Sequence, residues 1–263
     1  MVTSAAAGRL LPTRPAPTGI AMYEFTLNPQ ARHEIVRIGR EQQPVVVIDG
    51  ALHEPRSVVN YAARRVRFRA VAPGANFYPG VRAPVPQQYM ASLFAVVRPF
   101  LQDVFELSPA MPLRADCSFS LVTLEPEQLN VLQRLPHFDT VDPHQVAVLH
   151  YLCDATNGGT AFYRHRGTDF ERIDAERQAR YLAALEHDTE RYGSPPAAYF
   201  SGSDQRFEQI ARFDVRFDRI LMYRSQLLHA GEIGACTLSA DPRVGRLTAN
   251  AFFAPKAAAA AVS

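Results

Sequence analysis

The hydrophobic pattern changes style part-way along the chain. Ile35, Val36 and Ile38 follow Asn28-Pro29 at helical spacing and predict a helix over residues 30–42. The β-branched run Val45-Val46-Val47-Ile48, stopped by Asp49-Gly50, predicts a strand. Helical spacing returns over residues 54–66 and 86–107, separated by a proline- and glycine-rich loop that holds Asn76, Phe77, Tyr78, Pro79 and Gly80. From Cys117 onward the apolar runs are short, and residues 117–124, 132–137, 146–152, 160–164, 215–223, 227–230 and 247–253 predict strands. One amphipathic helix over 174–192, with Tyr181, Leu182 and Leu185 on one side, interrupts them and is expected to pack outside the barrel. The expected fold class is therefore α+β, helix-rich over 21–110 and a β-sandwich or barrel over 115–255. Residues 1–20 and 256–263 are compositionally biased and are expected to be a poorly ordered leader and tail.

At 263 residues the chain can bury a sizeable core in a single domain. Lysine and arginine total 28 against 26 acidic residues, a net charge of +2, which lacks the basic excess of a nucleic-acid binder. Cys117, Cys153 and Cys236 are odd in number and widely spaced, which argues against a disulfide framework or a zinc ribbon. The first twenty residues contain no continuous apolar stretch, and no later run is long enough to span a bilayer. A soluble protein of the cytoplasm, with no membrane partner, is the expectation. Gly158-Gly159 and Gly245 lack the spacing of a nucleotide loop.

Candidate chemistry begins at Pro136-His137-Phe138-Asp139. In extended backbone, residues two apart share a face, so His137 and Asp139 reach one point while Phe138 turns away. A third ligand from a distant strand would give two histidines and a carboxylate on one face of a metal, the arrangement that suits iron(II) and oxygen. By itself His-x-Asp is a common pattern. Further along come the run Val146 through Leu152, the turn Asn157-Gly158-Gly159-Thr160, the segment Phe217-Asp218-Arg219 before His229, and Arg246-Leu247-Thr248. Arg246 and Thr248 share a face by the same alternation, and a guanidinium beside a hydroxyl is a carboxylate-binding pair.

These elements, in this order, resemble the prolyl-4-hydroxylase-like branch of the 2-oxoglutarate- and iron(II)-dependent oxygenases, over about half of the chain. The resemblance implies a double-stranded β-helix, a jelly-roll barrel with Fe(II) held inside by His137, Asp139 and His229. It further implies that Arg246, assisted by Thr248 and the Tyr151 hydroxyl, binds the distal carboxylate of 2-oxoglutarate, with O2 as the other cosubstrate. Relatives often carry a tyrosine on the strand before the first histidine, and residues 121–133 contain none, so the residues that hold the other end of the cosubstrate stay open. Because halogenating relatives lack the carboxylate that Asp139 supplies, hydroxylation is the implied reaction.

If Tyr151 faces the barrel interior, His150 faces the other way and is a packing residue. His144 follows the metal motif in a turn, His33, His53 and His187 fall on expected helices or loops, and His165 shares a face with Ala161 and Tyr163; none is a metal ligand in this reading. Arg164-His165-Arg166 is either an anchor for an acidic substrate group or a solvated strand end. Phe77, Tyr78 and Arg82 lie in a loop long enough to cover a barrel mouth, although its prolines equally suit a stiff connector. Two rival functions stand beside the oxygenase: a cupin-like metalloenzyme without 2-oxoglutarate, which has no use for Arg246 and Thr248, and a non-catalytic barrel, which has no use for the ligands. The substrate stays open among a free amino acid, a peptide or protein side chain and a small metabolite. The N-terminal half is expected either to cover the barrel or to form a homodimer contact.

Overall fold

The computed structural model describes residues 23–70, 78–233 and 238–256; the leader, most of the tail, Phe77 and Cys236 lie outside the described residues. Eleven strands and three α-helices are described: β1 Arg32–Ile38, β2 Gln43–Asp49, α1 Pro55–Arg65, β3 Arg69–Ala70, β4 Gly80–Pro84, α2 Gln87–Asp103, β5 Leu113–Val122, β6 Val146–Tyr151, β7 Gly159–His165, α3 Ala175–Tyr192, β8 Phe207–Asp214, β9 Arg219–Arg224, β10 His229–Glu232 and β11 Leu247–Pro255. One sheet runs β1-β2-β9-β6-β11-β5-β4-β3 and a smaller one runs β10-β7-β8, every paired neighbour being antiparallel. Backbone at His137 pairs with His229 on the free side of β10. The order β5-β11-β6-β9 in one sheet, facing the His137 segment, β10, β7 and β8 in the other, is that of a double-stranded β-helix.

Several expectations need correction. Residues 32–38 form a strand and not part of a helix: the β-branched side chains prefer extended backbone, and Gly39 at φ 66 turns the chain into β2 as a hairpin. The N-terminal half is accordingly not helix-rich in character, because β1, β2 and β4 extend the large sheet on both flanks. Residues 131–134 form a short 3₁₀ turn where a strand was expected, since the Asn130 side chain caps the Gln133 amide. The strand expected over 215–223 begins at Arg219, after a turn in which Asp218 has φ 62, and β8 was not anticipated at all.

Alternation along the strands sorts two interiors. On the outer face of the large sheet, Val46, Ile48, Phe119, Leu121, Val148, Met222, Ala249 and Phe253 pack against Val58 and Ala62 of α1 and Leu93, Val97 and Leu101 of α2. The helices therefore cover the barrel. Between the sheets lie Val45, Val47, Leu149, Tyr151, Phe162, Leu221 and Tyr223. Tyr181 of α3 packs outside the small sheet with Tyr163, Phe207 and Ile173, and Leu185 joins them, whereas Leu182, expected on the same side, is exposed to solvent one position round the helix. Full burial of each such aliphatic or aromatic side chain is worth about 1.5–3 kcal/mol.

Two buried polar chains tie these layers. The Tyr89 hydroxyl on α2 meets His150 Nδ1 at 2.8 Å, His150 Nε2 meets Asp218 Oδ1 at 2.9 Å, and the same carboxylate accepts the Leu52 amide. On the opposite side His165 bridges Thr168 and Asp188 of α3, both at 2.9 Å. His150 is thus the packing residue that alternation predicted. Among the described residues no helix is long and apolar enough to cross a membrane, and neither Cys117 nor Cys153 is in a disulfide. Replacing Asp218 with Ala strands the Leu52 amide and His150 in the core and is expected to cost about 3 kcal/mol; a urea midpoint unchanged from wild type would show that the chain of bonds contributes nothing.

Candidate metal centre and cavity

The backbone amides of His137 and His229 each donate to the other's carbonyl, at 2.9 and 2.8 Å. Directly opposed residues of an antiparallel pair put their side chains on the same face, and the two imidazole centroids are 4.4 Å apart. Two residues on, the Asp139 amide donates to Ser225 at 2.8 Å, which aims its carboxylate between the rings. Nε2 of each histidine lies 4.0 Å from Asp139 Oδ1, and one donor atom from each residue lies within 4.8 Å of the others. Phe138 turns away to meet the Tyr181 ring edge-on at 6.0 Å.

Protonation favours donor behaviour. His229 Nδ1 lies 2.9 Å from the Leu227 carbonyl, and since a carbonyl only accepts, the proton sits on Nδ1 and Nε2 keeps its lone pair. Burial lowers His229 to about 4; His137, whose side chain is 47% exposed at the cavity, is shifted in the same direction by partial loss of water and by the neighbouring His229, so both rings are neutral at pH 7. Burial raises Asp139 to about 6, opposed by His137, the Ser225 hydroxyl and the Arg82 charge. At pH 7 the cluster therefore offers two neutral imidazoles and a carboxylate, the donor set of a facial metal site with open positions opposite.

The cluster opens on a cavity of about 410 Å³ between the sheets. Arg246 lines it, its plane fixed by donation from Nε to the Asn157 carbonyl and from Nη2 to the Gly159 carbonyl, both at 3.1 Å, with the Tyr151 ring 5.7 Å away. The sharp turn that presents those carbonyls requires Gly158: its φ is +77, and a Cβ there would lie 1.7 Å from the Glu232 carbonyl oxygen. Thr248 and Tyr151 are buried and do not line the cavity; the Tyr151 hydroxyl meets Thr160 Oγ1 at 2.6 Å, and it is Thr160 that reaches the wall. Burial holds the Tyr151 phenol up at about 12, so it stays protonated.

Two residues assigned by sequence to a covering loop belong instead to the wall. Arg82 is on β4, opposite Ser120, and Tyr78 enters just before that strand with its hydroxyl beside Thr248 and the Arg246 charge. Gly80 allows this approach, because a Cβ there would lie 2.0 Å from the Leu121 carbonyl oxygen. No spacing rule marks Tyr78; only its place before a glycine that has to pack tightly hints at it. By contrast Arg164 and His165 are neither substrate anchors nor solvated: Arg164 pairs with Glu171 and Glu208 at 2.9 and 3.0 Å, and His165 is fully buried.

Fold and site together define a double-stranded β-helix domain built around a two-histidine, one-carboxylate cluster. The chain belongs to the family described as "Family of unknown function (DUF6445)", whose profile matches residues 29–253. No curated protein matches it. Among solved structures it is similar to HygX from Streptomyces hygroscopicus, bound to nickel, 2-oxoglutarate and hygromycin B, at 17% identity over 83% of this chain and 88% of HygX, with a TM-score of 0.46. HygX has also been solved with iron bound. The 2-oxoglutarate-dependent epimerase SnoN of nogalamycin biosynthesis is similar at 14% identity, covering 82% of this chain and 79% of its own, with a TM-score of 0.38. An N-substituted L-amino acid dioxygenase from Burkholderia ambifaria AMMD is similar at 12% identity, covering 84% and 92%, with a TM-score of 0.35.

Cobalt(II) added to the metal-free protein is expected to bind at one site and to give a visible ligand-field spectrum. His229→Ala and Asp139→Ala should each weaken it by more than about a hundredfold, beyond the loss typical of residues that only support a ligand. Undiminished binding in both variants would remove the metal from this cluster.

Proposed function

We propose that the protein is an Fe(II)- and 2-oxoglutarate-dependent dioxygenase that hydroxylates an unactivated carbon of an amino acid, a peptide or protein side chain, or a small metabolite. The observation that carries this reading is one shared cavity: His137, Asp139 and His229 stand on its wall together with the buried guanidinium of Arg246. A metal cluster alone would serve many chemistries. A cation fixed by two carbonyl bonds in the same cavity serves a ligand that has a carboxylate to offer.

When bound together, Fe(II), 2-oxoglutarate and O2 supply the oxidising power for replacing C–H by C–OH, with succinate and carbon dioxide as the other products. The protein contributes binding and geometry. His137, Asp139 and His229 would hold the Fe(II) ion, a donor set that leaves positions for small ligands. Arg246, held by the Asn157 and Gly159 carbonyls, would pair its charge with the distal carboxylate. Tyr78, its phenol kept protonated by burial, and Thr160 on the same wall add hydroxyl donors, with Thr248 behind Tyr78 and Tyr151 behind Thr160. Leu132, Leu135, Tyr199, Phe200 and Ile233 also line the cavity and limit water beside the reacting carbon.

Anaerobic addition of Fe(II) and 2-oxoglutarate is expected to produce the weak visible charge-transfer band of a chelated 2-oxo acid. Arg246→Ala should raise the apparent dissociation constant for 2-oxoglutarate by about a hundredfold, the loss of a two-bond charged contact, while metal still binds. Metal uptake without any band at saturating 2-oxoglutarate would overturn this reading in favour of a cupin-like metalloenzyme.

A further inference from the structure

Arg82 is a second cation in the cavity, and the oxygenase reading gives it no task. Along the register of the large sheet, Arg82 is opposite Ser120, Ser120 is opposite Thr248, and Thr248 is opposite Tyr151. All four therefore face the interior. With neighbouring strands spaced about 4.8 Å apart, the Arg82 backbone stands about 10 Å across the sheet from that of Thr248, two strands removed from the Arg246 corner. Its Nε donates to Ser120 Oγ at 3.2 Å, and its guanidinium carbon lies 5.9 Å from the Tyr78 ring centroid. The head group is held against the wall and lines the cavity.

The charges of the site decide what faces it. Among the described residues that line the cavity, Asp139 is the only carboxylate, and the groups within ion-pair distance of it are the two histidines. A metal dication and Arg246 are balanced by Asp139 and the two carboxylates of 2-oxoglutarate. The charge of Arg82 is left over. A guanidinium enclosed by a bound ligand without a counter-charge is costly, whereas an anion opposite it makes a strong charge-assisted contact.

We propose that Arg82, steadied by Ser120, anchors an anionic group on the organic substrate, so that the enzyme acts on a carboxylic acid and not on an amine or a neutral molecule. This assignment rests on the oxygenase reading, which fills the other charges of the cavity. Arg82 fixes one end of the substrate, and the apolar lining receives the remainder, so the carbon presented to the metal lies at a set distance from the acid.

The test uses the full chain loaded with nickel(II), which does not turn over, and saturated with 2-oxoglutarate. Phenylacetate and N-acetyl-L-leucine are titrated by calorimetry, each beside its primary amide. The acids are expected to bind at least about tenfold more tightly than the amides, the worth of one charge-assisted hydrogen bond. Arg82→Gln should erase that preference and Arg82→Lys should keep part of it, with nickel and 2-oxoglutarate affinities and the melting temperature unchanged in both. The proposal is overturned if neither acid binds, if acids and amides bind alike, or if Arg82→Gln weakens 2-oxoglutarate as Arg246→Ala does, which would make Arg82 a cosubstrate residue. A wild type that takes up nickel but no 2-oxoglutarate removes the oxygenase reading separately, and the acid–amide comparison in the nickel-loaded protein still decides the role of Arg82.

Discussion

One antiparallel backbone pair, His137 with His229, holds the arrangement together. Its two reciprocal hydrogen bonds are ordinary ladder bonds, yet they join the segment entering the barrel to its penultimate strand and set two imidazoles side by side. Asp139 is then placed by the period of the strand and by one further bond to Ser225. The donor geometry is therefore a property of main-chain pairing, and side-chain packing from Tyr223 and Phe162 only trims it.

Legibility in the sequence followed the same logic. The period of two was enough to place His137 beside Asp139 and to face His150 away from Tyr151, because alternation is indifferent to tertiary context; it put Thr248 with Arg246, whereas only Arg246 lines the cavity. The long helices α2 and α3 were also readable, their apolar stripes being several turns long. Short elements were not. In β1, Ile35, Val36 and Ile38 fit a helical face as well as a strand, and pairing with β2 decides between them. β8 carries Glu208, Gln209, Arg212 and Asp214 on an edge of the small sheet and shows little alternation, with a bulge opposite Phe162 and Tyr163. Arg82 and Tyr78 could be flagged as cavity residues only loosely, because β4 is defined by its fit against β5 and by the glycine that permits it.

The basic run Arg164-His165-Arg166 illustrates how charge patterning misleads. By composition it is a patch; in space two of its members face the interior of a polar network. Arg164 meets two glutamates, one of which, Glu171, also accepts the amides of Arg40 and Glu41. His165 fastens α3 through Asp188. These contacts hold the β1–β2 turn and the outer helix to the small sheet.

The order of the pieces along the chain has a consequence for how each molecule comes into being. His229 lies on the tenth of the eleven described strands, and Arg246 immediately precedes the eleventh. During synthesis His137 and Asp139 wait for His229 until β1 through β9 have been made, and β11, whose pairing with β5 and β6 closes the large sheet, follows β10. The scaffold is held by its own apolar layers and by the buried Tyr89–His150–Asp218 chain, none of which includes His137, Asp139 or His229.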